Sequence, residues 1–295
     1  MPTGAEDNVT ESAVTNWGRW GADDERGTLN LLTPEVVSHA AALVKRGKVY
    51  SLAMPLAVDG PQWPTRHRTW KVTTFNVSAN GRGGADDVVT MHSHSGTHMD
   101  ALCHIWYDGQ LYNGFSAPEH VTSAGATRNA IDRVPSLVGR GVLLDVAAYK
   151  GREHLGATEA ISADDLDACA KAQGVEIRAG DILLLRTGWI RVFAQDRDLF
   201  YASEPGIDVS TLAWLKAHDI VAVAADNHAV EVMAQVPPAD LPIHKAAIRD
   251  LGLYLVEYLN LEELAADRVY ESLVIIAPLP LTGGIGSPVN PIAIA

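Results

Sequence analysis

The sequence predicts an α/β domain built on a mixed sheet. Three observations point there: short, almost wholly apolar runs at 141–146, 181–187 and 220–225, helix signals between them, and hairpin-like alternation in the N-terminal third. Thr33-Pro34 reads as an N-cap with proline at the first helical position. It opens a helix through about Lys45, with Val36, Val37, Ala40, Ala41 and Val44 at helical spacing. Residues 48–56 read as a strand and 57–68 as a loop. Residues 69–77 and 87–94 read as two strands joined by the glycine-rich stretch 78–86. Ser162, with Asp165 three residues on, resembles a capping box and starts a helix through about Gln173, while Ser210 caps a helix over 211–219.

The 295 residues, 47% apolar and 20% charged, suffice for a sizeable core. The absence of repeats, low-complexity tracts and a linker favours one domain over 16–295, after a loose polar tail at 1–15. A net charge of −13, from 36 acidic and 23 basic residues with no Lys/Arg-rich block, argues against nucleic-acid or anionic-membrane partners. The N-terminal residues lack a signal-peptide pattern, and no apolar run is long enough to span a bilayer. Cys103 and Cys169, far apart and outside any CxxC, read as reduced thiols, so a cytoplasmic location is expected.

Residues 92–104, HSHSGTHMDALCH, hold four of the eleven histidines. Uncompensated burial of so many imidazoles is unfavourable, because each carries a donor and an acceptor. On an extended chain His92 and His94 share a face, as do His98 and Asp100. His94, His98, Asp100 and His104 give HxxxHxDxxxH, an N,N,O set suited to Zn²⁺ or Mn²⁺, and Gly96 lets the backbone turn between the first two ligands. His92 lies outside that spacing and reads as a supporting partner. Cys103, between Leu102 and His104 and close to Ile105, reads as packing.

The segment 94–104 resembles the signature HxGTHxDxPxH of the cyclase-like metal-dependent hydrolases, the family of bacterial kynurenine formamidase and isatin hydrolase. Residues 242–264 are similar to the second block of that family, where a PxH histidine precedes a glutamate in an ExLxNL context. Residues 277–294 are similar to its closing loop and strand. The resemblance implies a swivelling β/β/α arrangement, with His94, His98 and Asp100 as ligands and Asp100 able to bridge two ions. It implies His104 as the proton donor and acceptor, His244 and Glu257 as ligands completing the site, and a homodimer or homotetramer. Two departures, Leu102 in place of proline and thirteen residues rather than twelve from His244 to Glu257, suggest a longer branch.

The chemistry expected is hydrolysis of an amide, lactam or related ester bond of a small molecule, aromatic ones included, using one or two Mn or Zn ions. A divalent ion can bring a bound water's pKa to about 7 and polarise a carbonyl, and an imidazole with a pKa of about 6.5 can carry the proton. Other positions of interest are Asp226 and His228 at the end of an apolar strand, with Glu231 weaker. Trp63 and Trp106 could wall an aromatic substrate. The basic run Arg66, His67, Arg68 could meet a carboxylate. Two other functions fit the residues: a non-haem Fe(II) oxygenase using His98, Asp100 and His244, and a non-catalytic metal-binding or sequestering protein, which needs no proton carrier at His104.

Overall fold

The structure, a computed structural model, describes residues 14–295 except Pro237 and Ala239, so the tail expected at 1–15 falls mostly outside the described residues. Where the description begins, the chain is already tied down. Thr15 Oγ1 and Asn16 N both donate to Asp250 O, and Trp17 Nε1 donates to Arg249 O.

Nine strands form one mixed sheet: β1 (Val49–Ser51), β2 (His98–Asp100), β3 (Leu137–Asp145), β4 (Ile182–Arg186), β5 (Ala222–Ala225), β6 (Tyr254–Glu257), β7 (Glu271–Ile276), β8 (Gly286–Pro288) and β9 (Ile292–Ile294). Their spatial order is β1-β9-β7-β3-β4-β5-β6-β2-β8. The central four, β3 to β6, run parallel, and antiparallel strands flank them on both sides. This is the mixed α/β architecture the apolar runs predict. Val142, Leu143 and Leu144, all of β4 except Arg186, and all of β5 are fully buried, as strands covered on both faces must be. Helix α1 (Pro34–Ala41) packs on β3, and α2 (Ala163–Gln173) and α3 (Thr211–Ala217) carry the chain between the parallel strands.

The local signals largely survive. Ser162 and Asp165 make the expected reciprocal capping box, and Thr33 Oγ1 accepts from Val36 N. Four expectations need correction. Helix α1 stops at Ala41, and the first strand covers only Val49–Ser51, because Met54 N donates to Thr97 Oγ1 and draws the chain away toward the motif. Ser210 occupies the N-cap position, but its hydroxyl is taken by Asp208 and Ala163. The second hairpin strand is Gly83–Thr90, so the glycine-rich stretch is itself paired and the turn shrinks to 78–82. The strand therefore ends before His92 and His94, and the two do not share a strand face.

The hairpin Trp70–Val77/Gly83–Thr90 pairs only with itself among the described residues, and every residue of both strands is exposed. No helix among the described residues is long and apolar enough to cross a membrane.

Candidate metal centre

The site assembles at one end of β2. This three-residue strand lies between β6 and β8, with His98 opposite Glu257 and Asp100 opposite Gly286. Alternation sends Met99 into the core and His98 and Asp100 to the other face. A cross-strand pair shares a face, so His98 Nε2 reaches Glu257 Oε2 at 3.1 Å. His94 comes in through a turn at Gly96, whose φ of +62° suits glycine, and the Gly96 carbonyl accepts from His98 Nδ1 at 2.9 Å. Gly286 has the second required absence of a side chain. A Cβ there would lie 2.6 Å from His94 Nε2.

The distal half comes from the segment after β5. Glu231 caps the short helix Pro242–His244, one oxygen accepting from Ile243 N and the other from His244 N. The same Glu231 oxygen accepts a hydrogen bond from His244 Nδ1 at 2.7 Å, which turns His244 Nε2 toward Glu257 Oε1 (3.0 Å) and Asp100 Oδ2 (3.8 Å). A carboxylate behind an imidazole is the usual device for fixing the tautomer of a metal-binding histidine. The resemblance gave thirteen residues where twelve are usual, and the chain between His244 and Glu257 contains a π-helix at Lys245–Asp250. Its bond from Leu251 N to Ala246 O spans five residues instead of four.

Val230 and Tyr258, next to Glu231 and Glu257, both take left-handed φ values, +61° and +56°. A β-branched or bulky residue there holds strain of about 1–3 kcal/mol. The strain thus sits beside two carboxylates of the centre.

His98 donates from Nδ1 to a carbonyl and His244 donates from Nδ1 to a carboxylate, so both present Nε2 lone pairs inward, facing Glu257 and Asp100. His94 Nε2 and both Asp100 oxygens are buried with no hydrogen-bond partner, although His94 Nε2 lies 3.4 Å from Asp100 Oδ1. Lone pairs facing anions are reconciled by a cation or by protons. Among the described residues two groups have ligand atoms close enough together for an ion, His94/Asp100/His104 and Asp100/His244/Glu257, with Asp100 common to both. The donor set of imidazole nitrogens and carboxylate oxygens fits a divalent cation.

Without a cation, protons do that work. Burial opposes charge on His98 and His244, but Glu257 next to both, helped by Glu231 at His244, outweighs it and holds both above the ordinary histidine range. Burial also opposes the Glu257 charge, and the two imidazoles override it and keep the carboxyl well below its usual range. His94 and His104 behave oppositely: burial, then the neighbouring histidines, push His94 well down, and burial pushes His104 down. Their rings lie 4.1 Å apart.

The structure thus brings together His94, His98, Asp100, His104, His244 and Glu257. It does not bring in every other candidate. His92 is exposed, its Nε2 accepting from His67 N and its ring stacked on His67. Trp106 is exposed. Asp226 spends its carboxylate on Thr187 N, Thr187 Oγ1 and Gly188 N at the ends of β4 and β5, and burial raises it to about 6. Cys103 is fully buried in the core, where desolvation raises its thiol to about 12.

Next to the centre lies a second buried cluster that sequence reasoning found only in part. Among the described residues neither His228 ring nitrogen makes a hydrogen bond, although Nδ1 lies 3.2 Å from Glu204 Oε2; Tyr258 has a bare hydroxyl, and Glu204 has one bare oxygen, its other oxygen accepting from His228 N. His228 is ringed by Trp63, Phe200, Tyr201 and Tyr258, with ring centroids 4.9–6.0 Å away. Burial drives His228 down to about 3, which leaves it neutral at neutral pH, and pushes Glu204 well up. Tyr258 had a positional signal, since it follows Glu257. Glu204 had none. Trp63 and Tyr201 also line an open bay of about 350 Å³ with Arg66, Arg68 and Arg197, and Arg66 Nη1 donates to His94 O.

Comparison with known proteins finds relatives over most of the fold. The Cyclase family model matches residues 50–232. An isatin hydrolase of Roseibium aggregatum is 26% identical over 215 residues, covering 70% of this chain and 73% of that protein. Among solved structures, one described as a novel cyclase superposes with a TM-score of 0.87 at 36% identity, over 96% of this chain and all of that one. An isatin hydrolase bound to the product analogue thioisatinate gives 0.64 at 22% identity, over 90% and 97% of the two chains. A predicted metal-dependent hydrolase from Bacillus stearothermophilus gives 0.57 at 21%, over 84% and 98%.

Proposed function

The chain belongs to the Cyclase family, and from that premise we propose that it is a metal-dependent hydrolase that cleaves a carbon–nitrogen bond, an amide or lactam, of a small aromatic molecule. The observation that carries the reading is the convergence of the inward Nε2 atoms of His94, His98 and His244 on Asp100 and Glu257, with both Asp100 oxygens buried and unpartnered. His94, His98, Asp100, His244 and Glu257 are the residues proposed to hold one or two Mn or Zn ions. Such an ion acidifies water and polarises a carbonyl.

The chain's own groups supply the rest. His104, kept neutral by burial, is the base that takes the water's proton and returns it to the departing nitrogen. Glu231 holds His244 in one tautomer, and the Gly96 carbonyl does the same for His98. Trp63, Tyr201 and Tyr258 form aromatic walls, and His228 Nε2 and the Tyr258 hydroxyl, which take no hydrogen bond from the described residues, offer hydrogen bonds to a neutral substrate. Asp59 and Asp198 also line the bay and Arg197 is paired with Asp59, which leaves Arg66 and Arg68 to attract the carboxylate that amide hydrolysis releases. An isatin-like cyclic amide has this chemistry, as the relationship to isatin hydrolase supports.

An oxygenase triad would use only His98, Asp100 and His244 and leave His94, His104 and Glu257 idle. The test is a screen of metal-supplemented enzyme against N-formyl anilines, cyclic imides, lactams and lactones, followed by mass spectrometry. A product heavier by one water supports hydrolysis; oxygen uptake without hydrolysis, or metal binding with no turnover on any class, refutes it.

A further inference from the structure

A turn closed by Arg66 N on Trp63 O sets an indole and a guanidinium side by side in the bay of about 350 Å³ next to the second cluster. Across from them stands Tyr201, whose hydroxyl accepts from Gln62 N at 3.2 Å and keeps its own proton to donate. The three arginines of the bay are unequally engaged. Arg197 faces Asp59 at 3.4 Å, and Arg66 spends Nη1 on the His94 carbonyl at 2.8 Å while its Nε and Nη2 bond nothing among the described residues. Arg68 makes no hydrogen bond and no ion pair among those residues, although Asp198 shares the bay. Arg66, Arg68 and Arg197 against Asp59 and Asp198 leave one positive charge, in a chain whose net charge is −13. Such a local excess draws an anion. Burial raises the Tyr201 hydroxyl, while the Gln62 amide, Arg197 and Arg68 pull it the other way, so both guanidinium charges are felt at that oxygen.

We propose that the bay seats a carboxylate which the substrate carries as a ring substituent, apart from the amide that is cleaved, with Arg68 and the free edge of Arg66 as its partners. This rests on the reading of the centre as an amide hydrolase, and it narrows the substrate to an aryl amide whose ring edge is neutral and whose substituent is anionic. The carboxylate made by hydrolysis is a different group. Its carbon is the one attacked beside the rings of His94 and His104, whereas the bay meets the motif at the His94 backbone, through Arg66. The field of the arginines can draw that product outward; a seat needs direct bonds. Guanidinium edges hold a carboxylate through two parallel N–H bonds. Trp63 and Tyr201 favour a carboxylate borne on a ring over a bare inorganic anion. Both also lie against His228, with ring centroids 6.0 and 5.8 Å away, so a ring between them has its neutral edge at the second cluster and its charge in the bay.

The test uses full-length, metal-loaded protein and the variant Arg68→Gln, an exposed position at which thermal melts report that the fold is kept. In calorimetric titrations the wild type is expected to bind benzoate about tenfold or more tighter than benzamide, its uncharged analogue, and the variant to lose that preference. A carboxylate that only coordinates the ion binds both proteins alike, so a preference unchanged in the variant, or no benzoate binding at all, overturns the proposal. Turnover is then compared on formanilide and its 3- and 4-carboxylates. The ratio of kcat/KM for the better carboxylate to that for formanilide is expected to fall about tenfold in the variant, through KM. An unchanged ratio overturns the assignment of the seat to the substrate, even where benzoate binds. Failure of wild type to cleave any amide ends the hydrolase reading, and with it the substrate assignment, while the benzoate titration separately decides whether the bay is a carboxylate seat.

Discussion

Two buried polar clusters lie side by side around Glu257 and Tyr258, and they are satisfied in opposite ways. In one, an unbroken relay runs Glu231–His244–Glu257–His98, each step between 2.7 and 3.1 Å, and ends at the bare Asp100. In the other, Glu204, His228 and Tyr258 are as deeply buried but leave four polar atoms bare. A buried polar atom without a partner costs about 1–3 kcal/mol. The first cluster holds formal charges and shifts its histidines upward; the second excludes charge and shifts His228 downward and Glu204 upward. Charge balanced around Asp100 suits a cation. Neutral groups held open suit the polar edge of an uncharged ring.

Five substitutions test that contrast, in falling order of effect. Asp100→Ala removes the ligand common to both candidate groups, and elemental analysis is expected to find metal absent and turnover abolished. His104→Gln is expected to keep metal and lower kcat by about 10²–10⁴-fold, the range for a lost general base; an unchanged rate would end its proton-carrying role. Glu231→Gln loosens the support behind His244 and is expected to weaken metal affinity about 10–100-fold by competition with a chelator.

His228→Gln belongs to the second cluster, so metal content should hold while KM rises. Its pH signature is separate. His228 lies at about 3 folded against about 6.5 unfolded, so the unfolded chain binds more protons between those values, and stability is lost as pH falls through them. At pH 5 this amounts to about 2 kcal/mol, so the stability lost between pH 7 and 5 in urea titrations should be greater in the wild type than in the variant by about that amount. Tyr258→Phe has the smallest expected effect on stability, within about 1 kcal/mol and of either sign, because its hydroxyl has no partner to lose; a KM increase at unchanged melting temperature would mark that hydroxyl as a substrate contact.

The parts of this design visible in the sequence are those written locally. His94, Gly96, His98 and Asp100 form one short motif whose spacing already implies a turn and a strand face, and the capping box at Ser162 needs only four residues. His244 and Glu257 were reached through a family resemblance, since nothing in their local spacing says that β6 pairs with β2. The second cluster was largely invisible, because bareness is a property of what fails to approach. Glu204 stands in an ordinary loop sequence, and only its pairing with Met233 brings it under His228. His92 shows the opposite error: its motif is conspicuous, but the strand ends at Thr90 and turns it outward toward His67.

The π-helix at Lys245–Asp250 has a consequence for how this site tolerates change in length. A turn closed over five residues stores one more than an α-turn between the same endpoints. The extra residue between His244 and Glu257 is absorbed there as slack, and the two side chains still meet at 3.0 Å. In genetic terms, the gain or loss of a single codon in that turn is a permissible event, whereas the same change between His98 and Asp100 would flip one of them to the opposite side of β2. Drift in length is therefore expected to collect on the His244 side of the centre, and the short motif on the other side to keep its spacing.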